Sequence, residues 1–270
     1  MTSGAKVALR YVHALLGAFG VDPLKTLLSL RGLPAYVSDY LRLRCLVSSS
    51  GFRFGKPWPC LDDRFWQGGT AKGHYFHQDL LVARRLFELN PLHHVDVGSR
   101  IDGFVAHVAT FRKIEILDIR PLTSAIPNVT FRQGDLMGDL PAELQGICDS
   151  LSCLHTLEHF GLGRYGDPVD ADGHRHGLRN LTVMVRPGGK FFLSVPIGPQ
   201  RIEFNAHRVF AVAHLLDLVS TDFTVDRFSF VDDHGDLHED AGLDPSKVAQ
   251  NFGCHYGCGI LEMTRKSDSA

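Results

Sequence analysis

Apolar residues recur at helical spacing along the front of the chain: Val7, Tyr11, Leu15 and Ala18, then Leu24, Leu27, Leu28 and Leu30 up to Gly32 and Pro34, then Val37, Tyr40 and Leu41. That period predicts two or three short helices over 7–47, broken at Gly32 and Pro34. It vanishes over 48–73, where Ser48-Ser49-Ser50-Gly51, Pro57, Pro59, Gly68-Gly69 and Gly73 predict a connecting or lid-like segment. A helix returns over about 75–89. From residue 93 short apolar runs alternate with turns and helical stretches, which is the signature of a mostly parallel sheet covered on both faces. The predicted strands are 94–97, 114–117, 129–131, 150–154, 190–195, 223–231 and 256–265, and the predicted helices are 104–110, 178–185 and 207–218. The last two strands follow each other without a crossover helix, so an antiparallel edge is expected. The chain reads as a helical extension with its connector over 1–73 and an α/β domain over 74–270.

Composition narrows the function classes. With 44% hydrophobic residues in 270, the chain has enough apolar side chain for a core. A net charge of -2 argues against a general grip on nucleic acid. The charge is uneven, with nine Lys and Arg against four Asp and Glu over 1–66, so the front end suits an anionic partner. Its leucine-rich helices either pack, dock a protein partner or lie on a membrane surface with Lys6, Arg10 and Lys25 towards headgroups. Charges interrupt every apolar run before it reaches spanning length, and the start lacks a signal-peptide pattern. The six cysteines have no framework spacing, so a reducing cytoplasm is expected.

Candidate chemistry lies at the strand exits, because ligands of open parallel sheets bind beyond the carboxyl ends of the strands. The first strand runs into Asp96-Val97-Gly98-Ser99-Arg100, where Gly98 permits a tight turn and close approach. The second ends at Asp118, placed to accept hydrogen bonds from ribose hydroxyls. The third leads into Gly134-Asp135-Leu136, with Asp135 placed for an exocyclic amine. The fourth leads into His155-Thr156-Leu157-Glu158-His159, and Arg186-Pro187-Gly188-Gly189 precedes the fifth. His155 or His159 is a candidate general base, with Glu158 beside them. Arg164, Tyr165 and Asp167 in the glycine-rich stretch after 161, and His207 and Arg208 after the fifth strand, are candidate substrate contacts.

This series resembles the class I S-adenosylmethionine-dependent methyltransferases over about residues 75–265. More narrowly, Tyr75-Phe76-His77-Gln78-Asp79, the run from Asp96 to Phe104 and Gly161-Leu162-Gly163-Arg164-Tyr165-Gly166-Asp167-Pro168 resemble an uncharacterised branch, the domain of unknown function 268, met in bacterial surface-polysaccharide gene clusters. The resemblance implies a Rossmann-like, doubly wound, seven-stranded sheet with an antiparallel last strand. It implies S-adenosylmethionine held by Gln78, Asp96, Gly98, Arg100, Asp118 and Asp135, and O-methylation of a sugar or glycan precursor. Methyltransferases usually carry glycines where this chain has Arg100 and Asp102, so either the cofactor sits in an altered pose or the fold takes another ligand. Two other outcomes stay open: non-methyl-transfer chemistry on a glycan or nucleotide-sugar, and a non-catalytic scaffold.

No metal site is expected. His155-Thr-Leu-Glu158-His159 matches the inverted zinc-peptidase order H-x-x-E-H but follows a strand instead of lying in a long helix. The run 232–240, rich in Asp and with two histidines, reads as a solvated loop. Cys254 and Cys258 lack zinc spacing and read as ordinary thiols.

Overall fold

The computed structural model describes residues 3–47 and 51–267, with side chains from residue 11 onward. The expected break at Ser48-Ser49-Ser50 and the side chains of Lys6, Val7 and Arg10 lie outside the described residues. The chain divides into two units, 1–70 and 71–270.

The first unit holds α1 (Ser3–Ala18) and α2 (Pro23–Leu46). Asp22 caps α2, its Oδ1 accepting from the Lys25 amide at 3.0 Å, and Pro23 occupies the first turn, where its missing N–H is not needed. The expected break at Gly32 and Pro34 does not occur: α2 runs through both. Gly32 serves packing instead, because a Cβ there would lie 1.8 Å from the Leu61 carbonyl oxygen. Among the described residues, no helix is long and apolar enough to cross a membrane.

The second unit begins with α3 (His74–Leu89) and β1 (His94–Val97). A wide turn over Ile101–Val105 leads into the short helix α4 (Ala106–Ala109). The predicted helix 104–110 is kinked in this way at Gly103, where a Cβ would meet Asp79 Oδ2 at 2.4 Å. There follow β2 (Ile114–Asp118), β3 (Val129–Gln133), β4 (Cys148–Leu154), α5 (Gly173–Met184), β5 (Val185–Ile197), β6 (Arg201–Glu203), β7 (His207–Val209), α6 (Val212–Ser220), β8 (Phe223–Val231), β9 (Leu237–His238), α7 (Pro245–Ala249) and β10 (Gly257–Arg265).

The sheet order is β3-β2-β1-β4-β5-β10-β8-β9. The first five strands pair parallel, and β10 is antiparallel to both β5 and β8. Two expectations need correction. The sheet has eight strands, because Leu237 and His238 pair with Val231 and Phe230 inside the stretch read as a loop. Residues 207–209 form a hairpin with β6, so the helix expected from 207 starts at Val212. β1, β2, β4 and β5 bury residues on both faces, whereas β3 at the sheet edge has no buried residue. Leu117, Leu151, Cys153, Phe191, Leu193 and Val195 share one core with residues of α5 and α6. Ile116, Leu154, Phe192 and Ile260 share the other with residues of α3. Strand order reverses between β1 and β4, so a crevice is expected at their carboxyl ends.

His94, fully buried on β1, sits 2.9 Å from Ser150 Oγ and 3.1 Å from Ser152 Oγ. Burial, with Arg112 nearby, depresses its pKa to about 3. The unfolded chain therefore takes up a proton near pH 6.5 that the folded chain refuses until about pH 3. Stability from this group is complete above pH 6.5 and declines as pH falls through that window, by up to about 1.4 kcal/mol per unit. His94→Gln should lose roughly 2–3 kcal/mol less than the parent between pH 7 and 4.5 by urea unfolding. Equal losses would show that His94 is not the source.

Candidate functional site

The crevice starts from a buried carboxylate. Asp96, with no exposure, accepts from the Ser99 amide at 3.1 Å, Ser99 Oγ at 2.7 Å and Ser152 Oγ at 2.5 Å. Burial raises its pKa to about 6, against the pull of those donors. These bonds close the turn after β1, and Gly98 completes it at φ +72°. A Cβ at Gly98 would come 2.3 Å from Thr156 Cγ2, so only glycine lets the β1 and β4 exits approach this closely. Asp96 thus holds the turn from behind.

Gly98, Asp118, Asp135, His155, His159, Tyr165 and Asp167 line one pocket of about 560 Å3, counting its open mouth. Leu136, Met137 and Phe160 supply apolar wall, and Arg120 is a charged lining residue that the sequence reading missed. The Asp118 carboxylate already has a partner. Its Oδ1 accepts from the Arg120 amide at 2.8 Å and Nε at 3.0 Å, and its Oδ2 accepts from Nη2 at 2.6 Å. Arg120 also lies 4.7 Å over the Tyr165 ring, which Arg164 approaches at 5.2 Å and His159 meets edge-on at 5.5 Å. The available signal was the Asp-x-Arg spacing, which lets an Asp at a strand exit bond both the amide and the side chain two residues on.

At the β4 exit His155 adopts φ +51°, unusual for a side chain with a Cβ, and its amide donates to the Ser194 carbonyl and Oγ. Its Nδ1 lies 2.7 Å from Glu158 Oε1, while its Nε2 is buried without a hydrogen bond. Burial opposes charge on this imidazole, but the adjacent Cys258 and Glu158 outweigh it and hold the pKa well above the ordinary value. Glu158, 1% exposed, is held below its usual range, because His155 more than offsets burial. His159 Nδ1 donates to the Ala206 carbonyl at 2.7 Å, leaving Nε2 as the acceptor of the neutral ring. Burial lowers its pKa. Only Leu157–His159 forms a helical turn here, so the two histidines do not share the long helix face of a zinc peptidase.

Most of the other candidates, and Asp167 of the pocket lining, are engaged by groups of the protein itself. Gln78 is buried, accepting from Ser194 Oγ at 2.5 Å and donating to Asp79 at 3.1 Å. Arg100 turns outward to Asp102 at 2.8 Å and lies 5.3 Å from the Tyr75 ring, clear of the pocket lining. Arg164 donates to the Ala206 carbonyl at 3.0 Å. Asp167 folds its own loop, accepting from the amides of Gly161, Gly163 and Tyr165. His207 faces Glu203 at 3.3 Å. Arg208, expected as an anchor for an anion, is 5% exposed and gives its guanidinium to the carbonyls of Glu158, Phe160, Asp170 and Ala171.

A family model described as Caenorhabditis protein of unknown function, DUF268, matches residues 142–239, about a third of the chain. No curated protein matches. Among solved structures, a chain from the complex between the Haloferax volcanii Trm112 methyltransferase activator and the putative methyltransferase is similar at 14% identity and TM-score 0.50, over 73% of this chain and 92% of that one. The N-methyltransferase NodS from Bradyrhizobium japonicum WM9, in complex with S-adenosyl-l-homocysteine, matches at 12% identity and TM-score 0.47, over 72% and 89%. A Burkholderia thailandensis 1,6-didemethyltoxoflavin-N1-methyltransferase matches at 15% and 0.47, over 92% of each chain. The likeness to the Haloferax volcanii chain is one of fold alone, an open and mostly parallel Rossmann-like sheet.

The Arg208 guanidinium clamps backbone carbonyls of 158–160 and 170–171 together. Arg208→Met should lower unfolding stability by about 2–4 kcal/mol, because it strands buried carbonyls. Unchanged denaturant midpoints would return Arg208 to the list of ligand contacts.

Proposed function

We propose that the second unit transfers the methyl group of S-adenosylmethionine to a hydroxyl of a small polar acceptor, a sugar or glycan precursor of surface-polysaccharide assembly, in the cytoplasm. The observation that carries this reading is that Gly98, Asp118 and Asp135, from three successive strand exits, line one pocket. The residues fit an adenosine ligand. The turn at Gly98 leaves no room for a side chain, Asp118 Oδ2 keeps a lone pair beside its single donor, and Leu136 and Phe160 offer apolar surface to a base. When bound, the cofactor would supply a sulfonium-activated methyl group. The chain's own part would be to hold the acceptor oxygen in line and take its proton, and His159 Nε2 is the base this reading favours. Transfer would form the oxygen–methyl bond as the sulfur–methyl bond breaks, with the hydroxyl proton passing to His159 Nε2 and S-adenosylhomocysteine as the product to be released. Arg164 and Tyr165 at the same rim suit a polyhydroxylated acceptor.

One observation favours a second reading. Arg120 places a guanidinium inside the pocket, directly on the acid that a ribose would use, and such a group suits the phosphates of a nucleotide-sugar. Calorimetry distinguishes the two. Heat is expected with S-adenosylhomocysteine, with affinity at least about 10-fold weaker in Asp118→Ala and undiminished in Arg120→Ala, which frees the acid. Silence with S-adenosylhomocysteine alongside binding of a nucleoside diphosphate sugar that Arg120→Ala abolishes would replace the first reading with the second.

A further inference from the structure

His74 opens α3, His155 follows β4 and Cys258 is the second residue of β10, and one ligand atom from each lies within 4.8 Å of the other two. The geometry points to a site for one zinc-class divalent metal ion held by His74, His155 and Cys258. Four features of the cluster support it.

The first is the state of His155. Its Nε2 is sealed from solvent and makes no hydrogen bond, which is costly for a polar atom in a protein interior. The opposite ring nitrogen, Nδ1, lies 2.7 Å from Glu158 Oε1. A carboxylate that accepts the Nδ1–H hydrogen bond orients the ring so that Nε2 offers its lone pair once its proton is displaced, which is the arrangement seen behind most metal-bound histidines. The second is packing. The His74 and His155 rings are parallel to within 4°, with centroids 5.2 Å apart, and the flanking rings of Tyr75 and Tyr256 wall them in. The third is donor type. Two imidazoles and one thiolate suit zinc or another borderline-soft ion, whereas magnesium and calcium select oxygen ligands. The fourth is reach. An ion bonded at about 2.0–2.3 Å to all three donors needs them roughly 3.3–3.5 Å apart, so the side chains must close by no more than about 1.5 Å. Binding would release the proton of the Cys258 thiol and the proton on His155 Nε2, and leave a fourth position for water. Cys258 would then be a ligand and not an ordinary thiol. The site requires nothing of the methyl-transfer reading.

Cobalt(II) is the direct probe, added to the purified full chain after chelator treatment. One equivalent should give visible bands of four-coordinate cobalt and a near-ultraviolet thiolate-to-cobalt charge-transfer band, both erased by stoichiometric zinc. Cys258→Ser should remove the charge-transfer band while circular dichroism stays unchanged. Glu158→Gln should weaken binding about 10- to 100-fold as the partner that orients His155. His74→Gln, at a half-buried position, should weaken it at least as much, and it decides the matter if Cys258→Ser fails to fold. Absence of the charge-transfer band in the parent chain, its persistence in Cys258→Ser, or unchanged affinity in His74→Gln would each overturn the site. Calorimetry with S-adenosylhomocysteine on the same chelated sample keeps this outcome separate from that of the methyl-transfer reading.

Discussion

A carboxylate buried in a sheet is costly unless donors surround it, and Asp96 meets that condition with donors from two segments. Ser99 comes from the turn that follows its own strand, and Ser152 comes from the neighbouring strand β4, directly opposite Asp96 in the parallel register. A slip of one residue between β1 and β4 would take Ser152 to the other face and leave the acid without that partner. The same bonds bend the chain at Gly98 and bring Thr156 against it. Sheet register, the turn and the back wall of the pocket thus answer to one buried charge. Because β1 and β4 are also the strands between which the order reverses, this constraint falls where the crevice opens.

Further out, the charges of the pocket are paired before any ligand arrives. Arg120 neutralises Asp118 and stacks on Tyr165, and Asp167 spends its oxygens on three amides of its own loop. A ligand that uses Asp118 must share it with Arg120, which weakens ground-state binding but spares the empty pocket an unpaired buried acid. The pairing also selects. A ligand with two hydroxyls competes with the guanidinium for one carboxylate, whereas a ligand with phosphates takes the guanidinium itself.

Much of this was legible in the chain. Continuous apolar runs located β1, β2, β4 and β5 because strands buried on both faces have few alternatives, the Val129/Phe131 alternation located the edge strand β3, and a ligand edge at strand ends follows from parallel topology. The misreadings have physical causes. Gly32 and Pro34 look like a helix stop, but Gly32 is there for the close approach of Leu61. His207 to Val209 has no local pattern that separates a helix start from a short hairpin. Arg208 and Asp167 are charged residues in polar stretches, and sequence cannot tell whether such a charge faces a ligand or is consumed by backbone groups. In the structure both bond backbone groups, Arg208 behind the loop and Asp167 from the pocket lining itself.

The same limit explains why His74, His155 and Cys258 escape a search by spacing. Zinc motifs are recognised when ligands lie a few residues apart on one turn or hairpin. Here the three come from the start of a helix, the end of a parallel strand and the beginning of a strand near the end of the described chain. Topology brings them together. Because β10 runs antiparallel between β5 and β8, its first residues arrive at the edge where the parallel strands finish: Cys258 pairs with Pro196 near the end of β5, and Ser194 of β5 binds the His155 amide. A parallel β10 would begin at the opposite edge and carry Cys258 the length of the sheet away. The strand inversion that closes the sheet therefore also makes this cluster geometrically available, and no local sequence signature accompanies it.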